Sequence, residues 1–162
     1  MKSPSLKALA AGIAALVACS LHAQEITLKV SHFWAPGAMA PTKIIGPWCD
    51  KVNKESGGKL KCQIYPAMQL GGTPAQLIDQ GKDGIADIVY TLPGYTAGRF
   101  PLMEVFELPF MNLNAESSSQ AVWDYYLTTP AVQKEFTGIK PLAFHVHDEG
   151  FVHTKDKQIK TL

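Results

Sequence analysis

Arginine is nearly missing from this sequence: Arg99 is the only one among 162 residues. Proteins that grip a carboxylate usually do so with a bidentate guanidinium fork, which lysine cannot reproduce, so this chain supplies at most one. Long apolar runs are missing too. The longest, Ala8 to Ala18, is about half the ~20 residues that a membrane span needs. Charge of one sign is equally scarce. Fifteen basic and 14 acidic side chains give a formal net charge of +1, which removes the electrostatic case for nucleic acid or anionic lipid as a partner. There are 3 cysteines, and Cys49 and Cys62, with no histidine near them, make a poor zinc site. No glycine-serine-glycine elbow marks a nucleophile, and Ser117-Ser118-Ser119 reads as polar helix surface. Gly71-Gly72-Thr73-Pro74 lacks the phosphate-loop lysine and the dinucleotide glycine spacing, which leaves a structural turn as its main reading.

What is present begins with a leader. Lys2 and Lys7 supply a basic start, Ala8 to Ala18 an apolar run of small residues, and Leu21-His22-Ala23 a cleavage site before Gln24. These read as a secretory signal peptide over 1–23. Leu16-Val17-Ala18-Cys19 also fits a lipoprotein box that would attach lipid at Cys19, and an uncleaved anchor is a third option. Each places the working chain outside the cytoplasm, in a compartment that permits disulfides. Cys49 and Cys62 then have two readings, a bridge or two small buried apolar residues. Without the leader, 13 basic and 14 acidic side chains remain, a net charge of −1.

Hydrophobic periodicity orders the rest. Glu25 to His32 alternates Ile26, Leu28 and Val30 against polar residues, as a strand does. From Pro41 to Glu55, Ile44, Ile45, Trp48, Cys49 and Val52 recur at three- and four-residue spacing on one helix face, and Gly57-Gly58 ends it. Lys59 to Tyr65 alternates again. Thr73 is placed to cap a helix with Pro74 at its first position and an end near Lys82. Ala86 to Thr91 reads as a more fully apolar strand buried on both faces. Asn114 caps a further helix, Pro130 starts a short one, and Ile139 to His147 is expected to form a fourth strand. Strands alternating with helices predict an α/β fold with a mostly parallel sheet flanked by helices and right-handed crossovers. In such sheets ligands bind beyond the carboxyl ends of the strands. Phe33-Trp34, Pro66-Ala67-Met68, Leu92-Pro93-Gly94-Tyr95 and His147-Asp148-Glu149 occupy those positions. Aromatic faces with a few polar groups suit a small organic ligand, although Trp34 and Tyr95 could equally close the sheet's edge.

Several of these segments, in order, resemble a known family. Leu28 to Trp34, Gly57-Gly58, Ile64 to Gly72, Gly84 to Val89, Thr91 to Thr96, Gly98 to Pro101, Glu107 to Met111 and His153 to Lys157 are similar to the solute receptors of tripartite ATP-independent periplasmic (TRAP) transporters. The similarity runs from about Ile26 to Leu162. It implies a periplasmic-binding-protein-like fold of two lobes that closes on a small organic acid and delivers it to the membrane permease subunits of a sodium-driven transporter. It implies no catalysis, no cofactor and no metal. Such receptors are about twice this length, and an arginine after a lysine-glycine-leucine stretch holds their carboxylate. That stretch would fall just beyond Leu162. After the signal peptide over 1–23, the resemblance implies an incomplete first lobe over 24–149 and the start of a crossover toward the second lobe over 150–162. Arg99 matches a family position read as structural, paired with a nearby carboxylate, with a direct ligand contact as the alternative.

From strand-end position, with the resemblance behind it, the candidate ligand-contacting residues are Phe33, Trp34, Thr91, Leu92, Pro93, Tyr95, Phe110 and His147. The aromatics would shape and dry the cleft, while Thr91 and His147 would supply polar contacts. Two other classes compete. His145, His147 and His153 could hold zinc or copper in a secreted metal-binding protein. Alternatively, an exposed half-core could recruit a partner in a module that binds no ligand.

Overall fold

The computed structural model describes residues 25–148 and 154–157. The leader expected over 1–23 and most of the expected crossover over 150–162 lie outside them. Among the described residues, three strands form one sheet in the order β2-β1-β3, both pairings parallel. They are β1 (Ile26–His32), β2 (Leu60–Tyr65) and β3 (Ile88–Tyr90). The register runs Ile26↔Leu60 to Ser31↔Tyr65 on one side of β1 and Val30↔Ile88 to His32↔Tyr90 on the other. Helices follow as α1 (Gly46–Glu55), α2 (Leu77–Lys82), α3 (Ala115–Thr128) and α4 (Pro130–Glu135). The predicted α/β class and the parallel pairing are both present.

The local chemistry explains the boundaries. The helix expected from Pro41 divides, because Pro47 has no N–H for the preceding turn. Ala40–Ile45 form a widened π-type turn in which the Gly46 N–H reaches the carbonyl of Pro41, and α1 runs on from there. Gly57 and Gly58 take left-handed φ of 62° and 80° and end α1, as side chains with a Cβ seldom can. The Asn114 side chain caps α3 by accepting from the Ser117 N–H at 2.9 Å. At the expected Thr73 start, Gln76 Oε1 accepts from the Thr73 N–H at 2.9 Å, and a single 3₁₀ turn leads into α2.

Two expectations are overturned. The strand buried on both faces is β1, whose last three residues Val30, Ser31 and His32 are 0–1% exposed, whereas β3 is half-buried. With the order β2-β1-β3, the central position belongs to β1 and β3 lies on the sheet's edge. The fourth strand over Ile139 to His147 does not form either. The segment is not in the sheet, and its backbone is stitched to α3. The Val146 N–H donates to Ser119 Oγ at 2.8 Å, and Asp148 Oδ1 accepts from the Ala115 N–H at 2.8 Å at the positive end of α3. Phe144 and Val146 still turn inward while His145 reaches Tyr90, so alternation survives without a ladder.

Two cores hold these layers. Val30, Ile45 and Cys49 pack with Cys62, Ile64, Ile88 and Tyr90 between the sheet and α1. Ile78, Phe100, Met103, Val122, Tyr126, Val132 and Phe136 form the second among α2, α3 and α4. A Cys49–Cys62 disulfide, with Cα atoms 5.7 Å apart, fastens α1 to β2. Of the two readings left open, the bridge is the one present.

Candidate functional site

The carboxyl ends of β1 and β3 carry a continuous row of rings. The chain leaving β1 packs Phe33 against Trp34, the rings tilted by 31° with centroids 3.8 Å apart. Tyr95, from the loop after β3, meets Phe33 edge-on at 5.1 Å, and Tyr90, the last residue of β3, meets Trp34 edge-on at 4.5 Å. The row ends where the Tyr90 hydroxyl bonds to His145 Nε2. Parallel pairing causes this convergence, because all strands of a parallel sheet end at one edge. Edge-on contacts also suit the ring quadrupoles.

The loop after β2 borders the row. The Ala67 N–H donates to the Trp34 carbonyl at 2.9 Å and the Met68 N–H to the His32 carbonyl at 3.1 Å. Ala67 and Met68 hold φ of 50° and 59°, a left-handed conformation that costs residues other than glycine and that clusters at functional sites. Behind the loop, buried Gln80 donates to the Gly71 carbonyl at 2.7 Å and accepts from Ser31 Oγ at 3.1 Å. This ties the loop to the central strand.

Beneath Trp34 lies His32, fully buried, with its ring 6.0 Å from the indole. Neither of its nitrogens has a hydrogen-bond partner among the described residues. Burial lowers its pKa from the ordinary imidazole value of 6.5, which favours the neutral ring at pH 7. Partial burial likewise lowers the pKa of His145, with the nearby His147 as a second cause, and burial raises that of the Tyr90 hydroxyl. The wall is thus aromatic and, at neutral pH, uncharged.

Of the predicted residues, Phe33, Trp34 and Tyr95 come together. Leu92 and Pro93 are half-buried in the loop that carries Tyr95, and the Thr91 hydroxyl is enclosed without a partner among the described residues. Two lie apart. Phe110 is fully exposed, with a left-handed φ of 65°, and stacks on none of the described rings. His147 is exposed and its Nδ1 bonds to the Asp148 carbonyl at 2.6 Å. His32 and Tyr90, which also border the row, are not among the candidates that the sequence supplies. Their signal was position, as each is the last residue of its strand. No group of three or more potential metal ligands assembles among the described residues. His145 there is engaged with Tyr90, and His153 lies outside those residues. Arg99 pairs with Asp79 at 2.7 Å, the structural role expected, and depresses that carboxyl's pKa.

A shallow depression of about 250 Å³ opens next to Tyr95, lined by Gly94, Ala97, Glu104, Glu107 and Leu108. Its two carboxylates repel an anionic ligand. The neutral aromatic wall does not.

Residues 30–162 match the family described as bacterial extracellular solute-binding protein, family 7 (DctP). The chain belongs to this family. A TRAP solute-binding protein of Rhodoferax ferrireducens T118, solved with copurified benzoate, is 56% identical with a TM-score of 0.79. The match covers 84% of this chain and 42% of that one. A marine-metagenome TRAP solute-binding protein specific for aromatic acid ligands, solved with 3-hydroxybenzoate, is 48% identical with a TM-score of 0.71 over 74% of this chain and 37% of that one. The curated outer membrane transporter protein TsaT of Comamonas testosteroni is 33% identical over 141 residues, 87% of this chain and 41% of its own length. This chain therefore spans about two fifths of the length of these relatives. The solved relatives are binding proteins of transporters, not enzymes.

Proposed function

We propose that this chain contributes one wall of an extracytoplasmic receptor that captures a small aromatic carboxylate for a TRAP-type transporter. The observation that carries the reading is the row Tyr95–Phe33–Trp34–Tyr90 at the strand ends, in a family whose solved relatives bind benzoate and 3-hydroxybenzoate. A flat ring stacks on such a wall and loses water there, which favours benzoate-sized acids over aliphatic ones. Phe33, Trp34 and Tyr95 form the face, and Thr91, Leu92 and Pro93 shape its border. Arg99 is paired with Asp79 and is not the residue assigned to the carboxylate.

The same reading assigns 1–23 to a secretory signal peptide, with lipid attachment at Cys19 as the variant, and 24–149 to the first lobe. Residues 150–162 begin the crossover toward the second lobe. It places the receptor in the periplasm and makes the membrane permease of a sodium-driven transporter its partner. Isothermal titration of the chain with benzoate, 3-hydroxybenzoate and succinate tests the ligand class. Binding of either aromatic acid with no heat from succinate is expected, and equal binding of all three would remove the aromatic assignment.

A further inference from the structure

The aromatic wall ends in a hydroxyl–imidazole pair, Tyr90 and His145. The Tyr90 ring is fixed in place by its edge contact with Trp34 at 4.5 Å and by its register with His32 on the central strand. Its hydroxyl bonds to His145 Nε2, and His145 is solvent-exposed, so the pair is reached from outside at the margin of the ring row. A tyrosine hydroxyl has one proton to donate and two lone pairs to accept with. In the tautomer that leaves Nε2 unprotonated, the hydroxyl donates its hydrogen bond to the imidazole, and its oxygen still accepts from an incoming O–H.

We infer that Tyr90, oriented by His145, is a specificity-determining residue that favours aromatic acids bearing a ring hydroxyl over the unsubstituted ring. A benzoate-sized ligand stacked on Trp34 and Phe33 directs its ring edge toward the end of the row that Tyr90 occupies. A phenolic hydroxyl there donates to the Tyr90 oxygen. The preference is graded. Tyr90 and His145 satisfy each other when the ligand has no hydroxyl, so no buried group is stranded, and the gain is that of one neutral hydrogen bond.

The inference rests on the receptor reading above, and one experiment separates the two. Isothermal titration of the full chain with benzoate and with 3-hydroxybenzoate is run for wild type, Tyr90→Phe and His145→Gln. Wild type is expected to bind 3-hydroxybenzoate about fivefold to tenfold more tightly, as one neutral hydrogen bond allows. Tyr90→Phe keeps the ring and is expected to bring the ratio of the two dissociation constants to within about twofold of unity, whatever change both affinities share. His145→Gln, an exposed change that the fold tolerates, is expected to reduce the ratio in the same direction. Loss of affinity for both acids in equal proportion would make Tyr90 a packing residue and overturn the inference. So would benzoate binding by wild type with no preference, which leaves the receptor reading intact. Binding of neither acid by wild type sinks both.

Discussion

The indole of Trp34 meets the ring of Tyr90 edge-on at 4.5 Å, joining the chain that leaves the central strand to the end of the edge strand. Both rings are half-buried, so each offers apolar surface to a ligand while being held by its neighbour. Trp34→Ala removes the centre of the row and is expected to weaken benzoate binding by more than tenfold, the order set by losing a stacked ring of this size. His147→Ala is expected to leave it within about twofold, since His147 is exposed and packs on none of the rings of the row. Titration calorimetry on both variants checks this, and equal effects would remove the distinction between them.

Much of this fold was legible in periodicity because the relevant signals are local. Alternation in Ile26 to His32, the Gly57-Gly58 stop, the Asn114 cap and the Pro130 start each depend on a few neighbouring residues. What was not legible depends on partners distant in sequence. Burial of β1 on both faces follows from the order β2-β1-β3, which its alternating sequence does not encode. The absence of a fourth strand follows from Ser119 and the N-terminus of α3 taking the backbone and side-chain groups of Val146 and Asp148. The site divides in the same way. Phe33, Trp34 and Tyr95 follow strands directly and were found from position, whereas His32 and Tyr90 belong to the row only because their strands pair at that register.

The Cys49–Cys62 bridge closes a loop between α1 and β2 with a sequence separation of 13. In the chain-entropy account, a loop of this size stabilises by roughly 3 kcal/mol. Urea unfolding with and without reductant, and of the Cys49→Ala/Cys62→Ala variant, is expected to show a loss of that order. Superimposable curves would mean that the bridge does not constrain the unfolded chain.

His32 makes stability depend on pH. Its folded pKa is lowered by burial, so between that value and 6.5 the unfolded chain binds the proton and the folded chain does not. Stability is therefore full above about 6.5, falls as pH drops through that value, and stops falling below the folded pKa. His145 adds to the slope with the same sign, damped by its exposure. Thermal melts from pH 8 to pH 5 are expected to show a falling midpoint for wild type and a flatter profile for His32→Gln. An unchanged slope in the variant would place its origin in other groups.

Between Leu108 and Leu113 the chain presents apolar side chains to water with no cover among the described residues. Leu108 is 55% exposed, Met111 52%, Leu113 90%, and Phe110 is fully open. Exposed apolar side chains grouped this closely in sequence favour association, because bringing two copies together removes apolar area from water at roughly 25 cal/mol per Å². The isolated 162-residue chain is expected to self-associate as its concentration rises. Phe110→Glu combined with Leu113→Glu is expected to shift it toward monomer, by placing like charges where the copies would meet. Because these side chains are exposed, the double substitution should leave the two cores intact, which a melt of the variant verifies. Sedimentation velocity over a concentration series decides the matter. A wild-type chain that stays monomeric throughout would show that something else covers the patch.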